Sequence, residues 1–243
     1  MDAEWRKRIQ IIFIVFLVIA LVRVGIIFYQ RSHEDEVRKP QPAPTSSYKV
    51  TLDDYVTPHK VFPYDVASAR AELAGKTAWV RTGNQLAFYP YNAATHRADV
   101  GHSAGLLGPL EKIEIKDSIA ENVRGQKQVL AVFTRAGAPQ QFAVSVGAVI
   151  NGSYNFFIND VLFLEDPHQL YNHWPADVWS LIDRHEAKPG MNELQVSFAL
   201  GANIRVGRGD YGNRIVQYVN GDKSTEVTFS DNKATSVEAG PKP

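Results

Sequence analysis

The sequence predicts an α+β protein carried on an N-terminal membrane anchor, and three observations predict it. A predominantly apolar run occupies residues 9–29. Between residues 77 and 164, six short β-branched or alternating segments succeed one another without a helical period between them, which implies an antiparallel sheet closed into a small barrel. From residue 174 the period becomes that of two short helices and then of three strands, an ααβββ order. The parts are a tail and transmembrane helix (1–30), a proline-rich linker (31–47), a small β-barrel domain (48–166) and an ααβββ domain (167–240).

At ~1.5 Å per residue the 9–29 run reaches the ~30 Å of a bilayer core. It is long for a signal peptide, and no small-x-small cleavage site separates it from the charged residues that start at Arg31, so the anchor is expected to be retained and to cross once. Arg23 is the ionisable residue inside it. Its long side chain either lifts its charge towards the Tyr29 interface or contacts headgroups or another helix, and it is the expected membrane-contact residue. The linker combines a charged run with Pro40, Pro42 and Pro44 and has too little apolar surface to fold.

In the barrel region a short helix over 64–73 is stopped by Gly75. Strands are expected at 77–82, 86–91, 112–119, 128–134, 141–149 and 154–164, each bounded by Gly, Asn, Asp or Pro. Gly75, Trp79 and Val80 followed by Phe88, Tyr89 and Tyr91 resemble the opening of a bacterial SH3-like barrel. Tyr89, Tyr91, Tyr154, Phe156 and Phe157 either line an aromatic groove for a proline-rich peptide or glycan, or pack within the sheet.

In the last part, Val178, Leu181, Ile182 and His185 recur at the spacing of one helix face, with Pro175 in the first turn. Pro189 and Gly190 stop that helix. Asn192 and Gln195 form a capping box for a second one, which Gly201 ends. Residues 201–212, with Arg205, Gly207, Arg208, Gly209 and Gly212, read as a mobile loop that is either a plain connection or an anion or partner contact. Strands follow at 213–219, 224–229 and 234–237, separated by the turn residues Asn220, Gly221, Asp231 and Asn232.

Through Trp179, Ile182, His185, Gly190, Met191, Gln195, Val196, Ala199, Leu200, Gly201, Val227, Phe229 and Lys233, the C-terminal quarter resembles the SmpA/OmlA (BamE-like) family of bacterial envelope domains. The resemblance implies a two-helix, three-strand unit that works through contacts with other envelope proteins. With Arg6, Lys7 and Arg8 close to the apolar run, it also places the N-terminus in the cytoplasm and the body in the periplasm, on the inner (cytoplasmic) membrane.

Lys plus Arg equals Asp plus Glu at 26 each, which argues against nucleic acid as the main partner. The chain has no cysteine, hence no disulfide, thiolate metal site or lipobox. No serine lies in a nucleophile elbow, the glycines fit no phosphate-binding fingerprint, and His168, His173 and His185 lack the spacing of a metal motif, so neither cofactor nor metal is expected. The expected function is a membrane-anchored, non-catalytic protein-binding or scaffold protein of the bacterial envelope. The alternatives are an accessory subunit of an integral membrane complex held through its transmembrane helix and, third, an envelope hydrolase. The residues nominated for partner binding are His168, Tyr171, Arg208 and Tyr211, all expected to be exposed, since aromatic, His and Arg side chains on loop backbone are typical of interfaces.

Overall fold

The computed structural model describes residues 21–29 and 50–242. The chain divides into two units, Met1–Val50 and Thr51–Pro243. In the first unit residues 21–29 are helical and exposed. Among the described residues no helix is long and apolar enough to cross a membrane. This corrects the expected transmembrane helix and the single-pass inner-membrane placement; Arg23 lies among the described helical residues 21–29. Residues 9–20 of the expected span, and the linker 31–47, lie outside the described residues.

The second unit opens with a short 3-10 helix, Leu52–Tyr55, followed by helix α1 (Val66–Leu73). Asp65 caps α1 by accepting from the Ser68 N–H at 2.7 Å, and Ala69 and Leu73 bury its inner face. Strands β1 (Thr77–Val80), β2 (Ala87–Asn92), β3 (Arg97–Ala98), β4 (Gly105–Leu106), β5 (Lys112–Val123), β6 (Gln126–Arg135), β7 (Gln141–Ile150) and β8 (Ser153–Phe156) come next. Helix α2 (Ile158–Val161) and strand β9 (Leu162–Phe163) complete this part. The strands form a nine-stranded antiparallel sheet ordered β3-β2-β7-β6-β5-β1-β9, with β4 beside β2 and β8 beside β7.

The expected small closed barrel is therefore corrected: the end strands β3 and β9 are not paired with each other among the described residues. The reason lies in β6, where Val129, Leu130, Ala131, Val132 and Phe133 are all buried. Val129, Ala131 and Phe133 join the core beneath α1, whereas Leu130 and Val132 join a second cluster with Tyr89, Ile119 and Ala143 on the opposite face. A strand apolar at consecutive positions is covered on both sides, as a small barrel's strand is not. A bulge between Ile115 and Asp117 bends β5, and Arg97 of β3 reaches Glu121 of β5 at 3.2 Å, so the sheet curls over that second face without closing. The single strand expected over 154–164 is broken into β8, α2 and β9. Asn159 turns inward there and both donates to and accepts from the Val61 backbone, at 2.7 and 3.0 Å.

Helices α3 (Pro167–Leu170), α4 (Ala176–Asp183) and α5 (Glu193–Leu200) precede a second antiparallel sheet, the meander β10 (Ile204–Asp210), β11 (Asn213–Asn220), β12 (Lys223–Ser230) and β13 (Lys233–Ala239). It has four strands rather than the expected three, because β10 forms where a loop was expected. The turn chemistry holds. Gly221 takes φ 58° between paired Asn220 and Lys223, and Asp231 and Asn232 take φ 50° and 55° between paired Ser230 and Lys233. Helix α4 ends earlier than its apolar period suggests. His185 enters the left-handed region (φ 57°), and the His185 and Glu186 N–H groups bond back to Ile182 and Leu181, both at 2.9 Å.

Trp174, Trp179, Ile182, Met191, Val196, Phe198, Val216, Tyr218, Val227 and Phe229 pack between the helices and the second sheet. Phe163 of the first sheet enters the same core, its ring centroid 5.6 Å from that of Phe198. Each such side chain contributes about 1.5–3 kcal/mol on burial, so this shared core is a substantial part of what joins the two sheets.

Candidate protein-binding surface

The segment that carries His168 and Tyr171 is set by Asp166, which caps α3 by accepting from the His168 N–H at 3.0 Å. The His168 ring stacks on Trp179 with centroids 4.1 Å apart. Its Nδ1 lies 3.0 Å from Asp166 Oδ1 and its Nε2 3.1 Å from Asp183 Oδ1. His168 is exposed, as expected, but held between two carboxylates. Tyr171 is not exposed: it is 6% accessible and packs its ring 4.6 Å from Trp174 and 5.2 Å from Phe198. Burial pushes its phenol upward, an effect that Arg81 opposes and Asp53 reinforces. Its expected exposure as a contact residue is thus corrected, because Trp174, Phe163 and Phe198 enclose it.

Arg208 and Tyr211 belong to the β10–β11 hairpin, which is ordered from below. Glu193, the first residue of α5 and 3% exposed, accepts from Arg214 Nε and Nη2 at 3.0 and 2.6 Å and from the Gly212 N–H at 2.7 Å. Arg214 in turn lies over the Tyr211 ring, 5.4 Å from its centroid. Next to this network Tyr218 is buried and its phenol is pushed up, first by burial and then by Glu193 and Tyr211, with Arg214 pulling the other way. Above it, all seven residues of β10 are exposed. Ile204 and Val206 are 36% and 46% accessible, Tyr211 46% and Ile215 45%. A bulge between Val206 and Gly209 interrupts the pairing with β11.

No family model matches this chain, nor does any curated protein or solved structure. Its site is accordingly read from its own geometry.

His173 and His185 hold different partners. His173 Nε2 lies 2.6 Å from Asp53 Oδ1, and His185 Nδ1 lies 3.2 Å from the Ala199 carbonyl. Among the described residues no group of three or more His, Asp or Glu side chains is placed to hold a metal ion. The aromatic residues of the first sheet divide as well. Tyr89 is core, while Tyr154 and Phe156 stack at 6.2 Å and, with Val61 and Phe62, line an open depression of about 470 Å³.

Sequence reading misses the β10 edge and the two acids that organise the C-terminal part. The alternation of Ile204, Arg205 and Val206 is the signal for the strand, obscured by the three glycines after it. Glu193 is marked by its place directly after the Asn192 cap, where a helix favours a carboxylate. Nothing in the local sequence marks Asp53, whose partners lie about 120–139 residues away.

Proposed function

We propose that the unit Thr51–Pro243 is a protein-binding module that works by contact rather than by a reaction of its own, with the β10–β11 hairpin as its contact surface. The observation that carries this is β10 itself, seven consecutive exposed residues at a sheet edge, with Ile204, Val206, Tyr211 and Ile215 presented around it. An apolar strand edge is a template for another chain unless it is covered, and Arg and Tyr are enriched where proteins meet. The BamE-like resemblance read from residues on either side of the hairpin, at 179–201 and 227–233, points the same way. Of the residues nominated from sequence, His168, Arg208 and Tyr211 stay in the proposal.

The test is site-specific photo-crosslinking of the full chain in its native cells, with the probe at Tyr211, Arg208 or His168 and, for comparison, at exposed Lys127. A discrete adduct with another protein is expected from Tyr211 and Arg208. In the probe-at-Tyr211 protein, Arg208→Ala should lower the yield by ~10-fold, equivalent to about 1.4 kcal/mol of affinity. Thermal unfolding should move by no more than ~0.5 kcal/mol, as for most surface changes. Adducts from Lys127 and none from the hairpin would remove the proposal.

A further inference from the structure

We propose that the free edge of β10 accepts an extended segment of a partner protein as an added strand, and that this segment alternates apolar residues with acidic ones. The inference rests on the reading of the hairpin as a protein-binding surface and specifies what binds there.

The backbone supplies the first ground. The Val219 N–H donates to the Asn203 carbonyl at 2.8 Å, and the pairs that follow are Ile204 with Tyr218, Arg205 with Gln217 and Val206 with Val216. Hydrogen-bonded positions alternate along an antiparallel ladder, so Asn203 and Arg205 direct their polar backbone groups at β11, whereas Ile204 and Val206 direct theirs outward. β10 ends the order of the second sheet, and its outward groups meet no other backbone among the described residues.

The side chains supply the second. Ile204 and Val206 share a sheet face with their partners Tyr218 and Val216, which are 3% and 0% accessible within the core against α5. That packed face runs out at β10 and leaves its two apolar side chains partly in water. A further strand with apolar residues at alternate positions would prolong the core over them.

Charge supplies the third and chooses the occupant. Arg205 points to the other face beside Gln217, and Arg208 lies in the bulge. Neither forms an ion pair or a side-chain hydrogen bond among the described residues. Asp210 is the only acid on the strand. Intervening residues of an added strand therefore meet positive charge, which favours glutamate or aspartate there. A second copy of this edge would bring its own Arg205 and Arg208 against these two, which disfavours self-pairing.

The experiment uses the full chain and synthetic eight-residue peptides, followed by fluorescence anisotropy and by amide hydrogen exchange. A peptide alternating valine with glutamate should bind at least ~10-fold more tightly than the same peptide with lysine for glutamate. Its binding should slow exchange of the Ile204 and Val206 amides, and proline at alternate valines should abolish both effects. Arg205→Glu combined with Arg208→Glu should reverse the preference towards the lysine peptide. Because the lysine comparison also runs on the unaltered chain, a variant that fails to fold leaves the test intact. Equal binding of the two peptides, binding that leaves both amides unprotected, or concentration-dependent self-association that protects them without peptide would each overturn the proposal. Failure of the acidic peptide together with a protein adduct at Tyr211 overturns this partner class alone; absence of both overturns the protein-binding reading as well.

Discussion

Tyr218 shows how one buried phenol registers pH. At 3% exposure, and with Glu193 close by, it resists ionisation in the fold, so its titration is displaced well above the ordinary tyrosine value of 10.0. Tyr171 is displaced in the same direction by its own burial. Below pH ~10 the folded and unfolded chains both hold these protons and the contribution to stability is complete. Above it the unfolded chain releases them while the fold does not, so stability is lost as pH rises. Urea unfolding between pH 9 and 11 should show this loss at up to ~1.4 kcal/mol per pH unit for each such tyrosine. Tyr218→Phe should make the decline shallower, and an unchanged slope would mean that the phenol reaches water.

At the scale of elements, the end of α5 decides how the two sheets join. Gly201 adopts φ 96°, ψ −175°, an extended conformation of positive φ rather than the left-handed helical one common after a helix. The chain must leave α5 straight under the 83–85 loop: Asn84 Nδ2 donates to the Leu200 carbonyl at 2.9 Å and the Ala202 N–H to the Gly83 carbonyl at 2.8 Å. A Cβ on Gly201 would stand 2.6 Å from the Gly83 oxygen and 2.7 Å from Asn84 Nδ2. Gly201→Ala should therefore cost about 2–4 kcal/mol in thermal or urea unfolding, combining backbone strain with overpacking. Gly190→Ala, at φ 97° but with open space around it, should cost about 1 kcal/mol. The need for glycine at both positions is legible in sequence, as are the Asn192–Gln195 capping box and the Asp231–Asn232 turn, because each depends on residues adjacent in the chain. β3 and β4 are too short, at two residues each, to show a period. Tyr171 and Asp53 escape for another reason: part of their surroundings comes from distant segments, and a tyrosine beside Asp166, Pro167 and His168 carries no local sign that Phe198 will close over it.

For the whole molecule, Asp53 ties the start of the folded unit to its last third. Its side chain is 12% exposed, with Oδ1 accepting from Trp174 Nε1 at 2.6 Å and lying 2.6 Å from His173 Nε2, while Oδ2 accepts from Asn192 Nδ2 at 2.7 Å. Asp53→Ala strands those donors at the foot of α5 and should cost about 2–4 kcal/mol, since each partly buried group left unpaired bears its own desolvation penalty. Because Phe163 lies in the core of the second sheet, calorimetry should record a single transition for wild type and variant alike, displaced downward in the variant. Two resolved transitions in the wild type would show that the sheets melt independently. The same anchor sets where tension would enter the fold. A pull on the chain ahead of Thr51 is received at Asp53 and passes through Trp174 and Asn192 into α5, whose first residue, Glu193, holds the β10–β11 hairpin in place. One route for traction on that side thus runs to the hairpin through a single helix, beside the nine-stranded sheet that shares its core through Phe163, and whatever is seated on β10 lies on that load path.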